Sequence, residues 1–299
     1  MSHGSLQDIP DFPDFDDSDD LPLLESRIVN GDNATEGQFC YFVGVTSYGG
    51  PQNSVALELC GGSIIDSCWV LTAGHCCLPT INASEPITYH IEAGSIIAGE
   101  PQQLQVIMGS HAFVHPGFNS STLENDVCLI KTDPFTFNHD VCYIDLVPNY
   151  WKPEVHVGES ITAMGFGLTS FNGSLPGNLL WIDNLRLITR TECKVSYPIY
   201  PPTIFCAEDE GEPPISAVCQ GDSGGPVAMT MEGKTVQVGL VSFGSTECNN
   251  APQGFTNLAM FHDWIKWIMT KGHSNASDQK KEEKKEKPSL LGVLLGILG

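Results

Sequence analysis

The sequence predicts an all-β protein built as two halves of similar size and closed by one short helix. Between Phe39 and Asn257 the chain is a succession of short apolar runs cut by turn residues, the pattern of many strands joined by tight connections. No helical periodicity of comparable length competes before Phe261. The 30 Gly and 20 Pro among 299 residues suit a loop-rich globular chain, because these residues supply the backbone angles that reversals need.

In the first half, from Phe39 to about Pro134, strands are expected at Tyr41 to Val45, Ser54 to Leu59, Ser63 to Ile65, Trp69 to Thr72, Thr88 to Ala93, Leu104 to Met108 and Val127 to Lys131, with a short helical turn after His75. The second series is Ser160 to Phe166, Trp181 to Ile188, Thr203 to Ala207, Gly225 to Met229, Thr235 to Ser242 and Gly254 to Asn257. The halves join near Leu146 to Pro153. Many short strands at even spacing make a sandwich or a barrel. From Phe261 to Lys271 the apolar residues Phe261, Trp264, Ile265, Ile268 and Met269 fall on one helical face; a packed closing helix is preferred to an amphipathic membrane helix.

Both ends differ from the middle. Residues 1–27 carry eight acids and one base, a local charge of −7, and such a segment cannot bury enough apolar surface to offset its ordering entropy. It ends at Arg27, followed by Ile28-Val29-Asn30-Gly31, which reads as a processing site or, more blandly, as a linker arginine. Residues 272–299 run from small residues at Ser274 to Ser277, through a charged stretch, to the apolar Leu290 to Gly299. Ten apolar residues are too few to span a bilayer. Their order matches a glycolipid-anchor signal, with a plain disordered tail as the alternative.

Charge excludes one class of partner. With 14 basic and 36 acidic residues the formal net charge is −22, which repels nucleic acid. Eleven cysteines and the sequons at Asn33, Asn82, Asn119, Asn172 and Asn275 point to an oxidising, extracellular setting. Residues 1–27 hold no signal-type apolar stretch, so the expectation is a secreted protein whose natural start lies upstream. Between Ile28 and Thr270 only seven residues are basic, which would suit a digestive enzyme among proteases or merely aid solubility.

Chemistry concentrates in a few motifs. Gly221-Asp222-Ser223-Gly224-Gly225-Pro226 sets a serine among glycines that tolerate strained backbone and bring amide N–H groups close to a ligand. Alone it could be a glycine turn. Leu71-Thr72-Ala73-Gly74-His75-Cys76 and Asn125-Asp126 supply the histidine and aspartate that nucleophilic catalysis by serine requires. His111, His115, His139 and His156 read as ordinary surface or loop residues. Nothing in the sequence calls for a metal or a cofactor, and a monomer is expected.

These motifs, with Cys60-Gly61-Gly62-Ser63, Val127-Cys128-Leu129-Ile130 and Val241-Ser242-Phe243-Gly244, stand in the order seen in the trypsin/chymotrypsin-like serine endopeptidases, which the chain resembles from Ile28 to about Met269. The resemblance implies two six-stranded antiparallel β-barrels with the active site between them. It implies a serine protease domain at 28–271, an acidic pro-segment at 1–27, and a linker and tail at 272–299. It makes His75, Asp126 and Ser223 the catalytic triad, with Gly221 and Ser223 as oxyanion donors. It also makes Arg27 the cut at which a trypsin-like protease activates a zymogen, freeing Ile28 to pair with Asp222.

Other expectations follow from the same resemblance. The pocket for the residue before the scissile bond has Ala217 at its floor and walls near Val218, Gln220, Ser242, Phe243, Gly244 and Gln253. An uncharged floor argues against cleavage after lysine or arginine; Gly244 keeps one wall open while Gln253 makes the pocket shallow, so neutral, chymotrypsin- or elastase-like substrates are expected. Phe166 and Phe243 stand where most relatives carry tryptophan. Position pairs Cys60 with Cys76, Cys193 with Cys206 and Cys219 with Cys248, and allows Cys40 with Cys142. Cys68, Cys77 and Cys128 stay unassigned, with Cys128 the choice for a free thiol. The rival functions are a catalytically silent homologue that binds partners and a protease anchored at the cell surface.

Overall fold

The computed structural model describes residues 28–49, 55–78, 87–98, 105–170, 173, 177–211, 213 and 215–271. The leader and the tail, with Arg27, Asn82, Asn172 and Asn275, lie outside the described residues. Six strands, β2 (Phe42–Gly49), β3 (Val55–Asp66), β4 (Trp69–Thr72), β5 (Thr88–Ala93), β6 (Gln105–Val114) and β7 (Cys128–Thr132), close into an antiparallel barrel in the order β2-β3-β4-β7-β6-β5. Along β5 the residues Tyr89, Ile91 and Ala93 point inward and are buried, while Thr88, His90 and Glu92 point outward, as the two-residue period of a strand requires. Val43, Val45, Ile64, Val70, Ile91 and Ile130 fill this interior.

Strands β9 (Ser160–Gly165), β10 (Leu180–Leu187), β11 (Ile204–Asp209), β12 (Pro226–Met231), β13 (Lys234–Phe243) and β14 (Gln253–Asn257) form the second closed ring, in the order β10-β11-β14-β13-β12-β9. Two short strands, β1 (Asp32–Asn33) and β8 (Asp145–Leu146), add to it at β10 and β13. The chain therefore enters the second barrel at β8, at the start of the joint expected from sequence. One apolar cluster runs from the second interior, through Leu185, Phe205, Leu240 and Phe255, onto the outer face of the first barrel at Trp69, Leu71 and Leu129. Burial on both faces explains why β4 and β7 read as unbroken apolar runs. Each such fully buried leucine contributes roughly 2 kcal/mol.

Three departures from the sequence reading have physical causes. The strands expected at Ser54 to Leu59 and Ser63 to Ile65 are one strand, β3, because Cys60-Gly61-Gly62 continues the pairing with β2. A side chain at Gly61 would stand 2.8 Å from the Gly225 backbone, so glycine serves barrel contact here rather than a turn. Helices are α1 (Gly74–Cys77), α2 (Arg190–Ser196) and α3 (262–271). The second was not anticipated; it starts on a capping box in which Thr189 and Glu192 satisfy each other's backbone N–H groups.

The third departure is a correction. Cys128 is no free thiol: it is bonded to Cys77, and Cys68 is the free cysteine among the described residues. Thr72 pairs with Cys128 across β4 and β7, and the turn of α1 carries Cys77 back over that register, with 6.5 Å between the Cα atoms. The remaining bridges are Cys40–Cys142, Cys60–Cys76, Cys193–Cys206 and Cys219–Cys248. No helix among the described residues is long and apolar enough to cross a membrane.

Candidate active site

The first barrel presents His75 and Asp126 at its seam with the second. His75 sits on α1, directly after β4, and the bridges Cys60–Cys76 and Cys77–Cys128 hold that single turn to β3 and β7. Asp126 precedes β7 behind Asn125, whose φ of 56° is left-handed, a conformation asparagine tolerates better than most residues. Asn125 is secured by hydrogen bonds from its side chain to the Gly117 carbonyl and from its N–H to the Thr203 hydroxyl.

Asp126 is fully buried, and its carboxylate is almost saturated with donors. Oδ1 accepts the His75 backbone N–H at 2.9 Å. Oδ2 lies 2.8 Å from His75 Nδ1 and accepts the Ser242 hydroxyl at 2.7 Å. With Nδ1 donating to the carboxylate, the neutral ring leaves Nε2 as its acceptor nitrogen. Burial disfavours the imidazolium, but the hydrogen bond and charge of Asp126, with Glu58 further off, outweigh it and raise the His75 pKa above its ordinary value.

The second barrel supplies Ser223 on the loop before β12. The Gly61 N–H holds the Ser223 carbonyl at 2.8 Å, and the Gly224 N–H donates to Val241 at 2.8 Å. Gly224 has a φ of 75°, and a Cβ there would collide with the Thr72 hydroxyl and approach the Ala73 nitrogen. Only glycine lets this loop close on the β4–α1 junction that carries His75. Ser223 is partly buried, and its hydroxyl hydrogen-bonds to nothing among the described residues. Around it, the N–H groups of Cys219, Asp222, Gly224 and Gly225 are all satisfied within the protein. Those of Gly221 and Ser223 have no protein acceptor among the described residues. Two adjacent unpaired donors flanking a hydroxyl can receive a developing oxyanion.

Asp222 points the other way, into the molecule. It is fully buried, accepts the N–H groups of Gly167 and Cys219 at 2.8 Å each, and lies against Gly165 and Gly167, where a Cβ would collide with the carboxyl. Burial pushes its pKa up to about 7, against the lowering effect of the two N–H donors. Ile28 is fully buried, and Val29 is bridged to Ala217 by a hydrogen bond of 3.1 Å. Asn30, also left-handed, ties the same strap to Ile215 and Ser216.

The residues expected to form the pocket are brought together. Ala217 is buried, and Gln253, 2% exposed, sends its Oε1 to the Val218 N–H at 3.1 Å. A Cβ on Gly244 would meet only Gln253 Cγ, at 3.6 Å. The glutamine side chain thus crosses from one wall to the other. Gln220 is exposed and donates to the Thr246 carbonyl. Phe243 lies over Gly254 and meets Tyr197 edge-on at 5.0 Å; beyond it, Leu123, Tyr197 and Ile199 line a groove of about 520 Å³. Phe166 packs on Phe42 at 5.6 Å. Asn33 and Asn119 are exposed.

Sequence reasoning placed Ser242 only in the pocket wall and missed its bond to Asp126. It also missed Thr256, whose hydroxyl donates to the Asp126 carbonyl at 2.9 Å, and Gly165 with Gly167 as the seat of Asp222. The Val241-Ser242-Phe243-Gly244 motif was the one available signal for Ser242.

Two antiparallel barrels with a serine loop from one closing on a histidine–aspartate pair from the other define the chymotrypsin-fold class of serine proteases. Residues 28–265 match the family model described as Trypsin. The chain is similar to Serine protease 1 and Serine protease 2 of Drosophila melanogaster, 33% identical to each over 245 residues, covering 81% of this chain and 86% of each relative. It belongs to the trypsin family and is a serine endopeptidase, a hydrolase acting on protein substrates.

Proposed function

We propose that the chain is the zymogen of a secreted endopeptidase that cleaves after neutral residues. The observation that carries this reading is the His75–Asp126 pair at 2.8 Å beside a serine loop with two N–H groups unpaired among the described residues. In the mechanism it supports, His75 Nε2 takes the Ser223 hydroxyl proton as Oγ attacks the substrate carbonyl. The carbonyl oxygen becomes an anion held by the N–H groups of Gly221 and Ser223. His75, now an imidazolium stabilised by Asp126, gives its proton to the leaving amine. Water then repeats the sequence on the acyl-enzyme. Loss of one oxyanion donor typically costs about 3 kcal/mol of barrier.

The state of Asp222 supports activation by cleavage. In the intact chain Ile28 is an amide and brings no charge, so the buried Asp222 carboxylate has two N–H donors and no cation among the described residues. Cleavage after Arg27 by a trypsin-like protease would create an ammonium on Ile28, the charge that site lacks. Ala217 and the crossing Gln253 amide favour a neutral side chain of medium size. The oxidising setting implied by five bridges supports secretion, with Asn33 and Asn119 accessible to glycosylation and Asn82 and Asn172 as further acceptors. The catalytic unit, 28–271, acts as a monomer between the 1–27 pro-segment and the 272–299 tail; the glycolipid anchor rests on that tail alone.

The test is to cleave the protein after Arg27 and profile peptides that differ in the residue before the scissile bond. Valine, leucine or phenylalanine should be preferred to arginine by about a hundredfold or more in kcat/KM, given the cost of an unpaired buried cation. Efficient cleavage after arginine would refute the pocket assignment, and undiminished hydrolysis by Ser223→Ala would refute the nucleophile.

A further inference from the structure

A cavity of about 80 Å³ borders Gly221 from the first-barrel side, whereas Ala217 belongs to the second half, and the mechanism above leaves the cavity without a role. Its walls include Gly44 and Thr46 of β2, Leu59 of β3, Glu92 of β5, Phe166, and Ser95, whose hydroxyl donates to the Ile97 carbonyl at 2.8 Å. The cavity follows from register. Gly44 lies between Gly61 on one neighbouring strand and Glu92 on the other, so two glycines stand side by side on the outer face of the barrel. A Cβ on Gly44 would meet nothing nearer than Glu92 Cβ at 3.8 Å.

Glu92 is half-buried at this cavity, and it forms no hydrogen bond or ion pair among the described residues. None of the seven basic residues between Ile28 and Thr270 lines the space. A carboxylate partly withdrawn from water and bonded to no donor is costly unless a ligand supplies one. When a substrate places its carbonyl oxygen at the Gly221 N–H and its acyl-side chain in the Ala217 pocket, the residues after the scissile bond leave on the opposite side, toward this cavity.

We propose that the cavity is a subsite for the residues just after the scissile bond, and that Glu92 makes it select lysine or arginine there. This rests on the catalytic reading above and adds a second half to the recognition sequence: neutral before the bond, cationic after it. Such a preference weakens with salt, because the pair is only partly shielded from solvent.

The experiment uses the cleaved, full-length protein and internally quenched peptides with one neutral residue before the bond and lysine, arginine, glutamine or glutamate at the two positions after it. Every rate is divided by the same protein's rate on a short substrate with an aminocoumarin leaving group, which has no residue to enter the cavity. Lysine or arginine should exceed glutamine by about twofold to fivefold at low salt, the range of a partly exposed ion pair, and less in 0.5 M salt. In Glu92→Gln the ratio should fall to about one. Gly44→Leu, which has room for its Cβ, should lower the normalised rate on all the longer peptides. No cationic preference in the parent protein, its persistence in Glu92→Gln, or an unchanged Gly44→Leu would each overturn the proposal. Failure on the short substrate would instead indict the catalytic reading.

Discussion

At the scale of the residue, the Asp126 carboxylate decides how the site behaves. Its two oxygens take the His75 N–H, the His75 ring and the Ser242 hydroxyl, so the imidazole has one tautomer and one orientation available. His75 acts as a base only when unprotonated, and its pKa is raised above 6.5. Activity should therefore rise with pH through a midpoint above that value. Ser242→Ala removes one donor from Asp126. Without that hydroxyl the carboxylate, and the ring it orients, are held less firmly, so kcat/KM should fall by about tenfold or more; the less satisfied carboxylate also acts more fully on the imidazolium, so the midpoint of the pH profile should move higher. A lower midpoint, or an unchanged one with full activity, would show that Ser242 merely packs. The triad candidates were legible in the sequence because each sits in a local motif. The Ser242 contact was not, because it joins residues 116 positions apart whose meeting depends on how the barrels dock.

At the scale of the element, α1 is a single turn that could not hold His75 in place by its own hydrogen bonds. Cys76 and Cys77 fix it from two directions, to β3 beside the Gly61 N–H that holds Ser223 and to β7 just after Asp126. The bridge from Cys77 spans a sequence separation of 51, for which loop-closure entropy gives a contribution of about 4 kcal/mol. Replacing Cys77 and Cys128 together by alanine should lower the unfolding free energy by up to that amount in denaturant titration and reduce kcat more than it raises KM. Unchanged stability would remove the bridge from this account. Sequence reasoning was right that Cys128 lies on a buried strand but could not see its partner, since the register of β7 against β4 is a tertiary fact. The α2 helix is a different case. Its Thr189-x-x-Glu192 capping box was visible in the sequence, but only seven residues follow, too few to show a helical period.

At the scale of the whole molecule, the strand series and the equal halves were legible because alternating burial leaves its mark on each strand. The closing of each ring was legible only through the family resemblance and not in the strand pattern itself, since strand order is set by pairings between distant segments. Asp222 and Ile28 are both fully buried, Asp222 against Gly165 and Gly167 of the second half. Unfolded, the Asp222 carboxyl releases its proton near pH 3.8; folded in the intact chain it does so near 7. The folded state thus binds more protons between those values, and this group's contribution to stability falls as pH rises through the window, by roughly 4 kcal/mol in all. At neutral pH the intact chain is therefore under pressure to let the Asp222 segment, and with it the Gly221 and Ser223 donors, leave the active arrangement. A new ammonium on Ile28 would relieve that pressure. The most direct measurement is the rate at which a serine-directed phosphonate labels Ser223 at pH 8, before and after cleavage at Arg27, with Ser223→Ala as the blank. The intact chain should label slowly, the cleaved chain faster by at least about a hundredfold, and the blank not at all. Equal rates before and after cleavage, or no labelling of the cleaved chain, would contradict activation by cleavage.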